Sequence, residues 1–280
     1  MVIGKRALIV SIFLLLSSFL AVLAHMGDSS DTKSSTLVDQ SMVLKEYSLW
    51  SMGIIGLFVF ILILVILSFD HRMTSKEKWF FFLAMSVPLV MATVYAAGTT
   101  LYVNAQSTAG GPVHWHADFE LWKCGEKIDL QDPTGISNRV GSSLFHEHGD
   151  DRIHVEGVVL NNAQITLHHF FEMVGGELTA THLVVPTNNG LIVAENGETC
   201  YGLPGKVQVF VYSILNPDET KKWVYQQHKI KDINAYLVAP FSQVPPGDCI
   251  IVEFDAEKEQ TDKICSSYQV AQERGELHGS

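Results

Sequence analysis

The chain has few charged residues, and basic residues are the scarcer kind. Asp, Glu, Lys and Arg together make up 18% of its 280 residues. From residue 100 onward, 24 acidic and 12 basic side chains leave a formal charge of −12. Nucleic acids and anionic lipid surfaces attract basic proteins, because both carry dense negative charge. The scarcity of basic residues therefore argues against nucleic acid and anionic lipid as partners.

The short motifs of several enzyme classes are also missing. The sequence contains no P-loop, no dinucleotide-binding fingerprint and no Ser-His-Asp motif. No two cysteines are spaced as Cys-x-x-Cys, which argues against a zinc ribbon. The segment His146-Glu147-His148-Gly149-Asp150 is not the helical zincin motif, because its spacing differs and Gly149 interrupts a helix.

Long apolar stretches, in contrast, are abundant in the first hundred residues. Residues 7–24, 49–69 and 79–103 contain no charged side chain. A helix crosses a bilayer with about 20 apolar residues, so 49–69 and 79–103 are predicted to be transmembrane helices. Pro88 lies within the third stretch, and membrane helices tolerate proline.

Residues 1–24 have two interpretations. Two basic residues precede the apolar run, which is either a signal peptide cleaved after Ala24 or a first transmembrane helix. Both interpretations place the loop 25–48 outside the cytoplasm. The connector 70–78 carries Lys and Arg and is predicted to be cytoplasmic, because positive charge stays inside. Residues 104–280 are then extracytoplasmic, and the protein is predicted to be a multi-pass protein of the cell membrane.

Only four cysteines are present, and all lie in the part predicted to be exported: Cys124, Cys200, Cys249 and Cys265. An even number in an oxidising compartment favours two disulfide bonds. Three pairings are open, and the sequence does not choose among them. A single Cys ligand of the blue-copper kind is the competing interpretation.

The exported part reads as a tethered domain that is mostly strand. A small, polar linker at 104–112 leads to a domain at 113–255, which a polar tail at 256–280 follows. Segments rich in β-branched and aromatic residues, bounded by turn residues, predict strands. One helix is predicted at 166–174, with a threonine cap and two glycines at its end. The predicted fold class is α+β, with N-terminal transmembrane helices and a mostly β exported domain that has one short helix.

Seven of the twelve histidines fall between residues 114 and 169, which is the strongest chemical signal in the sequence. Neutral imidazole is a common ligand for zinc, copper and nickel. A His-x-His pair on a strand presents two imidazoles on one face, because side chains alternate. The ligand set that we favour is His116, His146, His148 and His154, with His114 as an alternate. The competing interpretation is a set of surface histidines with no ion.

Acidic side chains accompany these histidines and are candidates for ligands or for groups that orient the imidazoles. They are Asp118, Glu120, Glu147 and Glu156, whereas Asp150 and Asp151 more often simply form a turn. His168 and His169 point about 100° apart on the predicted helix, so at most one can join a site. We take His168 as a candidate extra ligand, and its pairing with Glu172 on the helix surface is the simpler account.

Several of these segments together resemble a poorly characterised group of exported bacterial and archaeal proteins. The resemblance rests on His146-Glu147-His148, Ile153-His154-Val155-Glu156, Thr166-Leu167 with Phe170-Phe171, and the end around Gly247-Asp248. It covers about residues 113 to 255. What it implies is an extracytoplasmic, β-rich, metal-binding domain of unknown activity.

The function hypothesis is a membrane-anchored, extracytoplasmic protein that binds copper or zinc. One alternative is a metal-dependent enzyme, a hydrolase or an oxidase. Three histidines with an open position would activate water or dioxygen there, with Glu147 or Glu156 as base. The other alternative is an interaction domain without a metal, which predicts that the histidine pairs lie far apart in the fold.

Overall fold

The computed structural model describes residues 37–69, 72–217, 222–238 and 247–280. The predicted signal peptide or first helix at 1–24 lies outside the described residues, as does most of the predicted loop at 25–48. The chain divides into the units Met1–Gln40 and Ser41–Ser280. Of the first unit, only the start of a helix is described.

The described part of the chain begins with two long apolar helices. Helix α1 spans Leu37–Leu67, and helix α2 spans Ser75–Ala105. Within them, Glu46–Leu67 and Ser75–Ala105 are long and apolar enough to cross a membrane. Helix α2 begins at a capping box, in which the Thr74 hydroxyl accepts from the backbone N–H of Glu77 and the Glu77 carboxylate accepts from that of Thr74. Both helices extend beyond the apolar stretches that predicted them.

The rest of the described chain is mostly strand, as predicted. The strands are β1 Pro112–Lys123, β2 Glu126–Ile128, β3 Val140–Gly141, β4 Phe145–Glu147, β5 Arg152–Val158, β6 Glu177–Leu178, β7 His182–Thr187, β8 Gly190–Glu195, β9 Thr199–Cys200, β10 Leu203–Ile214, β11 Trp223–Lys229, β12 Asp248–Ala256 and β13 Leu277–Gly279. The main sheet has the order β13-β11-β10-β12-β1-β5-β4-β3, with β2 added to β1 and β9 to β10. Strands β6, β7 and β8 form a separate small sheet.

Among the described residues, two short α-helices pack on the main sheet, where the sequence predicted one, and a 3₁₀ turn at Asn162–Ile165 precedes the first of them. Helix α3 spans Leu167–Val174 and has the predicted ends: the Thr166 hydroxyl caps it, and Gly175 ends it with a φ of 87°. Helix α4 spans Ser266–Glu273, within the segment predicted to be a polar tail. Only Tyr268 and Ala271 of this helix are buried against the sheet, and the other side chains are mostly polar, so the composition of the segment does not indicate a packed helix.

The main sheet has a hydrophobic core on each face, because its central strands alternate between them. In β12, Ile250 and Val252 belong to the first core, which also contains α3 and the small sheet. Ile251 belongs to the second core, which α4 covers with Tyr268. Central strands buried on both faces explain why the hydrophobic pattern of β10 and β12 is nearly continuous.

Two disulfide bonds are present, as predicted, and no cysteine is free among the described residues. Cys124–Cys200 joins the β1–β2 turn to β9. Cys249–Cys265 joins β12 to the residue just before α4. The second bond fixes α4 to the sheet across a short loop, so residues 256–280 belong to the folded domain.

The linker between α2 and β1 is short and partly fixed. The backbone N–H of Thr108 donates to the carbonyl of Val159 at 2.8 Å, beyond the end of β5. The Ser107 hydroxyl donates to the carbonyl of Gly111 at 2.7 Å. Strand β1 therefore starts close to the end of α2 in both sequence and space.

We predict that Phe170→Ala destabilises the domain by about 3–5 kcal/mol, because it leaves a cavity in the first core. Phe170 is fully buried and lies within 5.8 Å, between ring centres, of Phe119, Phe145 and Phe171. The measurement is urea unfolding in detergent, followed by tryptophan fluorescence. Leu191→Ala is the control, because Leu191 is 65% exposed. Equal losses in the two variants would contradict this account of the core.

Candidate metal centre

Three adjacent strands carry four of the five candidate histidines, the fifth, His148, follows directly after β4, and the register of the strands brings the side chains together. Strand β5 lies between β1 and β4, so the two His-x-His strands are not direct neighbours. His154 on β5 is the register partner of His116 on one side and of His146 on the other. Directly opposed side chains in antiparallel strands share one face. The three imidazoles therefore form a row across the sheet.

The other two histidines, His114 and His148, pack against this row. The ring of His154 lies 4.6 Å from that of His116 and 4.7 Å from that of His148, between ring centres. The ring of His146 is stacked on that of His154 at 5.5 Å. His114 lies 4.6 Å from His116 and 6.4 Å from His154. The centres of the other four imidazole rings thus all lie within 6.4 Å of that of His154.

Glu156 joins the cluster from the same face of β5. Its Oε1 lies 2.9 Å from Nε2 of His114, which is its register partner, and 3.8 Å from Nδ1 of His154. Its Oε2 lies 3.8 Å from Nε2 of His146. The carboxylate therefore lies among the imidazoles and is placed to act as a ligand.

Two overlapping groups of side chains are close enough to hold an ion. One consists of His146, His148, His154 and Glu156, and the other of His114, His116 and His154. Within each group, one ligand atom from every residue lies within 4.8 Å of all the others. Zinc and copper bind nitrogen and oxygen at about 2.0–2.2 Å, so small side-chain movements would complete either site.

Buried nitrogen atoms in the cluster lack hydrogen-bond partners. His146 is 1% exposed and His154 9% exposed. Nδ1 of His146 and both ring nitrogens of His154 have no hydrogen-bond partner among the described residues. A buried polar atom without a partner costs on the order of 1–3 kcal/mol, so native proteins rarely keep one. A metal ion at this position would satisfy these atoms.

Burial also keeps the central imidazoles neutral. It lowers the pKa of His116, His146 and His154, and that of His154 reaches about 4. Neighbouring imidazoles lower these pKa values further, as His114 does for His116 and His148 does for His146. Metal ions bind the neutral imidazole. These three imidazoles are therefore in their metal-binding form at neutral pH.

A partly buried ion pair lies beside the imidazole row. Asp118 and Arg152 are the next register pair on the same face of β1 and β5, and Nε of Arg152 donates to Oδ1 of Asp118 at 2.6 Å. The hydroxyl of Ser267 on α4 also donates to Asp118. Asp118 thus fixes the two strands relative to α4 but contacts no imidazole ring directly in this arrangement.

The remaining predicted side chains lie away from the cluster. Glu120 is two residues beyond Asp118 on β1, where it accepts from the indole N–H of Trp122 at 3.1 Å. Glu147 faces the opposite side of β4 from His146 and accepts from the backbone N–H of Asp150 at 2.6 Å. Glu147 therefore shapes the turn after His148 and does not approach the imidazoles as a base would.

His168 also lies elsewhere, on α3. Its Nδ1 donates to the carbonyl of Leu178 at 2.6 Å, and its Nε2 lies 3.4 Å from Glu172. His169 binds the other oxygen of Glu172 at 2.9 Å. Among the described residues, these histidines belong to neither group that could hold an ion. Helix-surface pairing accounts for both of them.

Three contributions to the cluster are not apparent from the sequence. Asp150 lies 3.6 Å from Nε2 of His154, although the sequence indicated only a turn. The carbonyl of Asn138 accepts a hydrogen bond from Nδ1 of His148, which leaves Nε2 available to an ion. At Gly247, with a φ of 81°, a Cβ would lie 2.7 Å from the carbonyl oxygen of His116. Glycine lets β12 begin this close to the cluster.

Comparison with known proteins adds no evidence about this site. No family model, no curated protein and no solved structure matches the chain. The geometry and chemistry of the side chains therefore carry the functional argument.

We predict that the ion-free protein loses stability between pH 6.5 and pH 4, in part through His154. The pKa of His154 is about 4 in the folded chain and 6.5 for an ordinary solvated histidine, so the unfolded chain binds a proton first as pH falls. Stability is then present above pH 6.5 and decreases toward pH 4, by about 3 kcal/mol for this group. His154→Gln removes the titration and should flatten the curve.

The measurement is the urea midpoint of the two proteins in chelator, at several pH values across this window. Carboxylates titrate in both proteins, so the difference between the curves isolates the imidazole. If the urea midpoints of the wild type and His154→Gln decreased in parallel as the pH was lowered, the buried imidazole would not contribute to the loss of stability in acid.

Proposed function

We propose that the chain is a membrane-anchored protein that binds a transition-metal ion, copper or zinc, at the extracytoplasmic face. The observation that carries this proposal is the convergence of five imidazoles and Glu156 on one face of three strands. The unpartnered nitrogens of His154 support it, because an ion would supply what no described protein group does.

The donor set favours borderline transition metals over other ions. Imidazole suits zinc, copper, iron and nickel, whereas calcium and magnesium prefer oxygen ligands. The four cysteines form two disulfide bonds, so no thiolate is available to select a softer ion. Among divalent ions at a nitrogen-rich site, copper binds most tightly by intrinsic affinity. Copper or zinc is therefore the expected occupant.

An interaction domain without a metal is less consistent with this geometry. That hypothesis predicts histidine pairs far apart in the fold. Instead, the register of β5 places His154 between His116 and His146. Clustered neutral imidazoles with buried, unpartnered nitrogens destabilise the ion-free protein. Such a loss of stability in the ion-free protein is expected where the side chains bind a ligand.

The membrane anchor in this proposal consists of α1 and α2. Their apolar side chains, including Trp50, Leu57, Phe60 and Leu89, are largely exposed in the isolated chain. Contiguous exposed apolar surface of this kind fits contact with lipid. Basic residues near the start of α2 favour a cytoplasmic connector, which places the domain outside. The disulfide bonds fit an oxidising exterior.

We predict that the full chain, purified in detergent, retains copper or zinc after loading and desalting, as measured by mass spectrometry. His154→Ala should reduce the bound metal to less than about a tenth of the wild-type amount, because both groups lose the ligand that they share, whereas His146→Ala removes a ligand of only one group and should leave part of the metal bound. His168→Ala is the matched control and should retain metal, since His168 belongs to neither group. Wild-type protein with no bound copper or zinc would overturn the proposal.

A separate prediction concerns orientation in the membrane. Protease added outside intact cells should cleave the domain. An epitope inserted in the connector before α2 should be protected from the same protease until the membrane is permeabilised. The reason is the charge of the connector, which favours the cytoplasm. Protection of the domain in intact cells would contradict the proposed orientation, although it would leave the metal site unaffected.

A further inference from the structure

We propose that the cluster holds two metal ions side by side, bridged by Glu156 and His154. This inference rests on the proposed metal-binding function and goes beyond it in the number of ions. It assigns His146 and His148 to one ion and His114 and His116 to the other. The class of ligand is a pair of divalent transition-metal cations.

The arrangement of the two histidine pairs is the first observation. One pair lies on β1 and the other at the end of β4, with His148 just after the strand, and β5 separates β1 from β4. Adjacent strands are about 4.8 Å apart, so side chains on β1 and β4 start about 10 Å apart. A single ion with ligands at about 2 Å does not reach both full pairs. Each pair instead meets His154 in its own group.

Glu156 lies between the two pairs with one oxygen toward each. Oε1 is 2.9 Å from Nε2 of His114, and Oε2 is 3.8 Å from Nε2 of His146. Separations of about 3–4 Å are those expected of two ligands on one ion at 2 Å bond lengths. The two oxygens of one carboxylate are therefore placed to bind different ions.

His154 is the second shared residue. Its ring centre lies at nearly the same distance from His116, at 4.6 Å, as from His148, at 4.7 Å. Both of its nitrogens are buried and without a hydrogen-bond partner among the described residues. A neutral imidazole that binds one ion still carries a proton on its other nitrogen. Binding of the second ion there releases that proton to solvent.

The supply of donor atoms matches two ions. His114, His116, His146 and His148 offer one nitrogen each. Glu156 has one carboxylate oxygen near each histidine pair, and His154 has two ring nitrogens without a hydrogen-bond partner, so each bridging residue has one atom for each ion. Each ion then receives two unshared nitrogens, one oxygen of Glu156 and one nitrogen of His154. Four ligands are what zinc takes in closed protein sites, whereas one ion would leave several donors unused. Glu156 and the nearby Asp150 offset part of the added positive charge.

The experiment counts ions on the full chain in detergent. Cu²⁺ alone and Zn²⁺ alone are added in excess and removed by desalting, and bound metal per chain is measured by mass spectrometry. We expect about two ions per chain and, for Cu²⁺, a spin-coupled electron paramagnetic resonance signal, because bridged ions lie close together. One ion per chain would overturn this inference and leave the proposed function standing. No bound ion would overturn both.

Two variants separate the bridged pair from two independent sites. His114→Ala removes an exposed ligand, 63% exposed at the side chain, so the fold should tolerate it. We expect it to reduce binding from about two ions to one and to abolish spin coupling. Glu156→Gln keeps the shape of the bridging side chain but removes its charge, and it should lower the affinity for the second ion at least about tenfold.

Glu172→Gln is the matched control for charge removal beside histidines, since Glu172 contacts His168 and His169 on α3. It should leave both ions bound and coupled. Two ions retained by His114→Ala, or two uncoupled copper ions in the wild type, would contradict the bridged arrangement.

Discussion

The register of β5 against its two neighbours is the constraint on which the site depends. His154 faces a histidine on each side only because β1 and β4 pair with β5 in matching register. A shift of one residue in either pairing would turn an entire strand's side chains to the opposite face. The same shift would expose Ile153 and Val155, which are fully buried in the first core. The apolar face of β5 thus maintains the position of its imidazole face.

The second core reinforces that register from the face of the sheet that carries the imidazoles, opposite the first core. Strand β12 runs parallel to β1, and its Cys249 is the register partner of Asp118. The Cys249–Cys265 disulfide holds the start of α4 there, so that Ser267 reaches Asp118. The Tyr268 hydroxyl lies 2.7 Å from the carbonyl of Gly247, just before β12. Helix, disulfide and ion pair therefore converge on the row of residues next to the imidazoles.

Much of this arrangement could be predicted from local sequence patterns. Alternation in β1 placed Ala117, Phe119 and Leu121 on one face and the histidines on the other, and the caps of α3 were evident. What the local pattern does not contain is strand order. His154 follows a turn and stands alone in its segment, so nothing local shows that it is central. Pairing between β1 and β5 joins residues nearly forty positions apart, and such contacts depend on the whole fold.

Two acidic residues show how strand geometry decides which side chains meet the imidazoles. Glu147 lies between two histidines in sequence, but strand alternation turns it to the opposite face from His146. Glu156 is a candidate ligand or orienting group from the sequence alone, and in the structure its register partner is His114 and its carboxylate contacts three imidazoles. Proximity along the chain is a poor guide to proximity in a sheet, where the relevant neighbours belong to other strands.

The short, hydrogen-bonded linker after α2 limits how far the domain can move from its anchor. A long flexible tether lets a domain explore a large volume, and its local concentration at any one target falls steeply with length. Here Thr108 is bonded to Val159, and His114 follows only a few residues later. In a bilayer, the cluster would stay within a thin layer of solvent at the surface. Ions or partners that reside in the same layer would meet it far more often than those in the bulk.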